Sequence, residues 1–217
     1  TSEEYAGRIF DAKFNKEDKI ISKEELISRS NDCDGILSSL TEKIDSDLIS
    51  KLSNSIKIIS NFAVGFGNID IVAAKKKNII VTNKPDVLTD ATAEIAMLIL
   101  LGASRRAKEG LEWANKKNWK WSADFLMGKQ LTGSRLGILG MGRIGRAVAD
   151  RARSFGMIVH YHNRSQLDKN LEKGAIFHNT LESLLSVSDF FSINCPATKE
   201  TKHIINKETL KLFPSGA

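Results

Sequence analysis

A chain of 217 residues with 41% hydrophobic and 27% charged residues has an ordinary globular balance and enough length to bury a sizeable core, which excludes a collagenous or fully disordered chain. Its formal charge of +6 invites an anionic partner, but the lysines fall in solvated runs such as AAKKKN (73–78) and ANKKNWK (114–120), with no zinc-finger spacing and no aromatic-plus-basic RNA-binding motif, so nucleic acid is not the expected partner. Two cysteines, Cys33 and Cys195, lie far apart without a CxxC, which leaves no disulfide framework and no thiolate metal site and fits a reducing cytoplasm; no apolar run approaches the roughly 18 residues of a membrane span.

Short apolar runs alternate with amphipathic segments along the whole chain. The first helix pattern is SKEELISR (22–29), then a strand GILSS (35–39), a helix DSDLISKL (45–52) and strands IKIISNF (56–62) and IIVTN (79–83). LTDATAEIAMLILLGASRRAKEGLEWANKKNW (88–119) reads as one long helix that Thr89 or Asp90 can cap. From Ile95 to Leu101 it is apolar nearly all round and is expected to be buried. Beyond Gly102 it turns charged and then aromatic. Arg105 and Arg106 read as interdomain or dimer contacts, and Trp113, Trp119 and Trp121 as packing residues. A helix of this kind connects domains, so the boundary is placed near residue 97, giving 1–97 and 98–217.

Four strands follow: RLGILG (135–140), MIVHYHN (157–163), AIFHN (175–179) and DFFSINC (189–195), with a helix RIGRAVADRARSF (143–155) after the first. Nearly continuous Ile/Val character is how strands covered on both faces read, so the fold class is α/β with doubly wound parallel sheets. The chain opens on Thr1 and closes on LKLFPSGA in mid-pattern, so both ends read as cut.

Gly140-x-Gly142-x-x-Gly145 follows a strand and opens a helix, the context in which this spacing marks dinucleotide binding. Gly140 permits the tight turn, Gly142 lets the backbone approach a pyrophosphate, and Gly145 lets helix pack on strand. Arg143, in the first turn, can add a charge-assisted contact. The next strand ends at HYHNRS, where an acid would hold a ribose 2′-hydroxyl. Asn163, 18 residues past Gly145, removes that charge, Arg164 can grip a phosphate and Ser165 adds a hydroxyl. The trio therefore favours NADP, with NAD possible.

Four stretches, NFAVGFGNIDI (61–71), NKPDVLTDATAEIAMLILL (83–101), LGILGMGRIGRAVA (136–149) and INCPATKETKHIIN (193–206), together resemble the D-isomer-specific 2-hydroxyacid dehydrogenases, in style most similar to the glyoxylate/hydroxypyruvate reductases. The resemblance implies two Rossmann-like domains: a flavodoxin-like substrate domain built from both chain ends and an inserted NAD(P)-binding domain. It also implies a homodimer around the connecting helix and a small 2-oxo or 2-hydroxy acid substrate. Val64 and Gly65 match the family's carboxylate-binding loop. Gly142, Arg143 and Ile144 match its pyrophosphate contacts. Asn163, Arg164 and Ser165 match the ribose-end contacts of its NADP-using members, and Cys195 and Pro196 match the loop along the cofactor; Lys84 and Thr92 lie in the crossover and match it more weakly.

The family's catalytic Arg, Glu and His would all lie beyond Ala217, so no catalytic residue is expected within the chain, which is expected to be inactive as it stands. His160, His162, His178 and His203 read as structural or surface residues, and no GxSxG or Ser–His–Asp pattern occurs. The alternative function on the same fold is a non-catalytic dinucleotide sensor, recognised by nucleotide-dependent association without turnover.

Overall fold

The computed structural model describes residues 2–17, 19–116 and 121–217. It divides into two compact units, Thr1–Pro85 and Asp86–Ala217, each with its own parallel sheet.

The first unit runs α1 (Ser2–Ile9), α2 (Lys23–Ser30), β1 (Gly35–Ser38), α3 (Ser46–Lys51), β2 (Ile58–Asn61), α4 (Ile71–Lys76) and β3 (Ile80–Thr82). Its strands lie side by side in the order β1-β2-β3, with Ile36 opposite Ile59 and Ile59 opposite Val81. That register puts Ile36 and Ile59 on one face, where they join Ile44, Leu48, Ile49, Ile69 and Ala74 in a core. Three helices start on a side-chain cap: Ser22, Asp45 and Asp70 each accept a backbone N–H two or three residues into the helix. The C-terminal end of α3 is met by the Lys77 ammonium, which donates to the carbonyls of Ile49, Ser50 and Leu52. Leu37, Ile58 and Ile80, which the period of two points the other way, are exposed.

The second unit runs α5 (Thr89–Ser104), α6 (Ala107–Ala114), β4 (Arg135–Leu139), α7 (Arg143–Ser154), β5 (Ile158–His162), α8 (Lys169–Glu172), β6 (Ile176–Phe177), α9 (Leu181–Leu185), β7 (Phe190–Ile193) and α10 (Lys207–Leu210). All four strands are parallel in the order β6-β5-β4-β7. The first strand is thus central and the crossovers run outward from it, as in the dinucleotide-binding sheet. Leu136, Ile138, Val148, Ala149, Val159 and Tyr161 form the core, with Ala93 and Met97 of α5 packed into it. Ala93 and Met97 bury here, and this compact unit begins ahead of α5, at Asp86.

The long segment departs from its sequence reading in three ways. It is two helices, broken where Arg106 takes a left-handed conformation at φ +52°. Neither Thr89 nor Asp90 caps it: Leu88 occupies the cap position without a side-chain bond, and Asp90 pairs instead with Arg151 at 3.0 Å. Its apolar middle is one-sided. Ala93, Met97 and Leu100 are buried, whereas Ile95, Leu98 and Ile99 are 55%, 63% and 65% exposed. Trp113 does pack, edge-on against Phe125 at 5.6 Å with the Lys116 ammonium 4.0 Å over its ring, and Trp121 is exposed; Trp119 lies outside the described residues.

Candidate dinucleotide and carboxylate sites

The glycine loop joins β4 to α7 at the C-terminal edge of the second sheet. Its three glycines have different causes. Gly140 has φ +93°, and a Cβ there would lie 2.6 Å from the Cys195 backbone nitrogen, so the turn packs directly on the chain leaving β7. A Cβ on Gly145 would overlap the Gly140 carbonyl oxygen, so this glycine sets how closely α7 approaches β4. Gly142 is under neither constraint. Its φ of −75° suits any residue, and a Cβ built on it meets no atom within 4 Å. It is the N-cap of α7 and gives that helix no side-chain bond, so the first-turn N–H groups and the positive end of the helix dipole open onto the space beside it. A phosphate brought against those amides is what a side chain at this position would obstruct. The loop therefore fits a dinucleotide.

The sequence-assigned residues gather here with some changes of role. Cys195 and Pro196 follow β7, the strand beside β4, and so border the loop; burial pushes the Cys195 thiol above its ordinary range. Ile144 turns its side chain onto the core and offers the site its backbone alone. The Arg143 guanidinium pairs with Asp86 at 2.7 Å. Asn163 is a brace: its side-chain oxygen accepts the Met141 N–H at 2.7 Å, tying the end of β5 to the glycine loop. Arg164 and Ser165 are exposed just beyond it. Thr92 lies on the exposed side of α5, away from this cluster in the sequence and on a different element.

Three of the four histidines are tied into β5, β6 and α9. His160 shares a hydrogen bond with His178 at 2.9 Å, His178 shares another with Ser183 at 2.8 Å, and His162 donates to the His178 carbonyl. Burial, with help from the neighbouring imidazoles, holds His160 and His178 below the usual range. Beside them Asp189 accepts the Arg135 backbone N–H and its guanidinium, which holds this carboxyl well below the ordinary carboxylate range. These are structural roles.

In the first unit, Val64 and Gly65 sit on the loop after β2. Three successive carbonyls of that loop are held: Ala63 by the Lys84 N–H, Val64 by the Asn83 amide and Gly65 by the Asn61 amide, each at 2.8 Å. A trans peptide points its N–H opposite its C=O, so holding these carbonyls also fixes the directions of the N–H groups of Val64, Gly65 and Phe66. Among the described residues, the N–H groups of Val64 and Gly65 meet no backbone acceptor. Unpaired neighbouring amides of this kind suit a carboxylate. Lys84 also places its ammonium 5.9 Å from the Phe62 ring centre.

Known proteins decide the family. The NAD-binding domain of the D-isomer-specific 2-hydroxyacid dehydrogenases matches residues 97–217. The chain belongs to this family. It is 41% identical over 98% of its length to the glycerate dehydrogenase of Hyphomicrobium methylovorum and 40% identical over 96% to the glyoxylate reductase of Thermococcus kodakarensis. It spans 67% and 64% of those two proteins, about two thirds of the length of these curated relatives. A crystal structure of a Polaromonas sp. JS6 66 protein assigned to the family matches it with a TM-score of 0.89 at 43% identity, covering 99% of this chain and 68% of that one. Within this family member, two site-shaping residues, Asn61 and Asn83, did not stand out in the sequence. Asn61 is almost fully buried and bonded on all sides by Gly65, Asn68 and Ser38. An Asn closing a strand just before a glycine-rich loop was the available signal.

Proposed function

We propose that the chain carries the dinucleotide-binding and carboxylate-anchoring parts of an NADPH-dependent dehydrogenase that reduces a small 2-oxo acid, such as glyoxylate or hydroxypyruvate, to the D-2-hydroxy acid. The observation that carries the reading is Gly142: packing accounts for the other two glycines, and a ligand at the uncapped end of α7 accounts for this one. Bound NADPH would supply the hydride. The α7 amides and Arg143 would hold its pyrophosphate, Asn163 would keep the loop and β5 together, and Arg164 with Ser165 would take the 2′-phosphate. Val64 and Gly65 would hold the substrate carboxylate. The glyoxylate reductase and glycerate dehydrogenase relatives support the substrate class.

In this reading the first unit belongs to a flavodoxin-like substrate domain and the second to a Rossmann domain, with the boundary in the region of α5. The order β1-β2-β3 suits three consecutive strands of the flavodoxin-like sheet. We assign protonation of the product alkoxide to a His, oriented by a Glu and beside an Arg, outside the groups described above: His160, His162 and His178 are engaged in the β5–β6 network, and His203 is exposed away from it. NADPH oxidation on glyoxylate by the 217-residue chain overturns that part. The open face of α5 is assigned to a homodimer, and the two free cysteines accord with the cytoplasm.

The cofactor reading is tested by titrating NADPH and NADH by nucleotide fluorescence. NADPH is expected to bind more tightly. Arg164→Ala should weaken NADPH by roughly tenfold to a hundredfold, the worth of a charge-assisted contact, and leave NADH within about twofold. Equal affinities, or an indifferent Arg164→Ala, refute it.

A further inference from the structure

The segment that carries Arg164 and Ser165 is fixed at both ends. At its start, Asn163 is bonded to the glycine loop. At its far end stands a buried group that none of the site residues above includes. The Tyr161 hydroxyl, beneath the segment, accepts the Leu167 N–H at 3.0 Å and donates to the Glu172 carboxylate at 2.6 Å. Gln166 donates to the same carboxylate oxygen at 2.8 Å. Tyr161 is fully buried and Glu172 nearly so. Burial and the adjacent carboxylate push the Tyr161 hydroxyl up to about 12, so it remains a donor throughout the working range, while bonds from Tyr161 and Gln166 hold Glu172 below its ordinary value and keep it an acceptor. The bond polarity is therefore one-way: hydroxyl to carboxylate, backbone N–H to hydroxyl.

Two exposed residues between two fixed points form a crest whose height and direction are set by those points. Tyr161 is on β5, inside the sheet, and Glu172 closes α8, so the crest is referred to the rigid part of the unit. We propose that Tyr161 and Glu172 are positioning residues for coenzyme choice, holding Arg164 and Ser165 where they meet the 2′-phosphate of NADPH. The proposal rests on the reading of Arg164 above and adds residues that do not touch the cofactor themselves.

The test is the ratio of NADPH to NADH dissociation constants, with melting temperature followed in parallel, for the 217-residue chain and three variants. Tyr161→Phe leaves the Leu167 N–H and Glu172 without the hydroxyl, and Glu172→Ala leaves the hydroxyl and Gln166 without an acceptor. Each is expected to weaken NADPH about tenfold, the worth of losing one aligned charge-assisted contact, and NADH by less than about twofold. Glu172→Gln keeps an acceptor oxygen and is expected to retain the wild-type ratio. A structural role alone moves both nucleotides in parallel, and that outcome overturns the proposal, as does an unchanged ratio in Tyr161→Phe and Glu172→Ala. If Tyr161→Phe fails to fold, the Glu172→Ala and Glu172→Gln pair decides. Failure of the underlying reading is distinguishable: it shows as a wild-type chain with no NADPH preference, or an indifferent Arg164→Ala, and it removes both.

Discussion

Replacing Gly142 by alanine separates what the fold needs from what a ligand needs. Its φ of −75° and ψ of −156° are open to alanine, and the added methyl meets no protein atom within 4 Å. Alanine is the poorer N-cap, which costs less than about 1 kcal/mol. At roughly 2–4 °C per kcal/mol for a chain of this size, the melting temperature should fall by no more than about 4 °C. Binding should suffer far more. An amide meets a phosphate oxygen near 2.9 Å, whereas a methyl carbon keeps an oxygen roughly 3.5 Å away. Without two first-turn hydrogen bonds, each worth about 1.5 kcal/mol, the phosphate is held less well by about 3 kcal/mol, or about a hundredfold in the NADPH dissociation constant. Gly145→Ala is the counterpart: its Cβ overlaps the Gly140 carbonyl oxygen and lies 3.1 Å from the carbonyl carbon, which should destabilise the unit by about 1–3 kcal/mol or more. The assay is fluorescence titration beside thermal melting. A Gly142→Ala chain that melts normally and binds NADPH like wild type refutes the argument that a ligand explains this glycine.

Three further outcomes are expected. Asn61→Asp removes the donor to the Gly65 carbonyl and sets a buried carboxylate against it, so chemical denaturation should show a loss of about 3 kcal/mol or more; an unchanged midpoint refutes the role of Asn61 in holding the loop. His160 faces His178 beyond β6, Arg135 on β4 and Asp189 before β7, and the folded values of His160 and His178 are lowered, so the unfolded chain binds more protons below about pH 6.5. Stability should therefore be full above that pH and fall as pH drops through it; a melting temperature flat from pH 7.5 to 5.5 contradicts this, and His178→Gln should flatten the slope. Leu98→Glu on the open face of α5 should convert a dimer to a monomer by light scattering while leaving the melting temperature of the monomer unit within about 4 °C, since Leu98 is exposed; a wild-type chain that is monomeric at high concentration removes the homodimer reading.

The seven strands among the described residues were legible because each lies in a short, largely apolar run between helical or turn segments, and the glycine loop because its spacing comes with its strand and helix. What was not legible depends on tertiary contacts. The apolar stretch 95–101 looks buried all round, but α7 covers only one side of α5, and nothing local marks which side is left open. The break at Arg106 has no Gly or Pro to announce it. Asn163 was placed correctly at the end of β5, yet its bond to Met141, 22 residues earlier, needs the parallel register to be seen. Asn61, Asn83, Tyr161 and Glu172 escaped for the same reason: each acts on a backbone or side chain brought near by folding.

Arg164 and Ser165 are exposed on a segment anchored at Asn163 and again at Gln166 and Leu167. Exchanging them disturbs neither anchor and carries no packing penalty. The region is therefore a natural cassette. On the proposed role of Arg164 and Ser165, a lineage would move between coenzyme pools by changing two codons while the strand beneath stays under constraint, and a library randomised at these two positions alone tests that role without sampling misfolded chains.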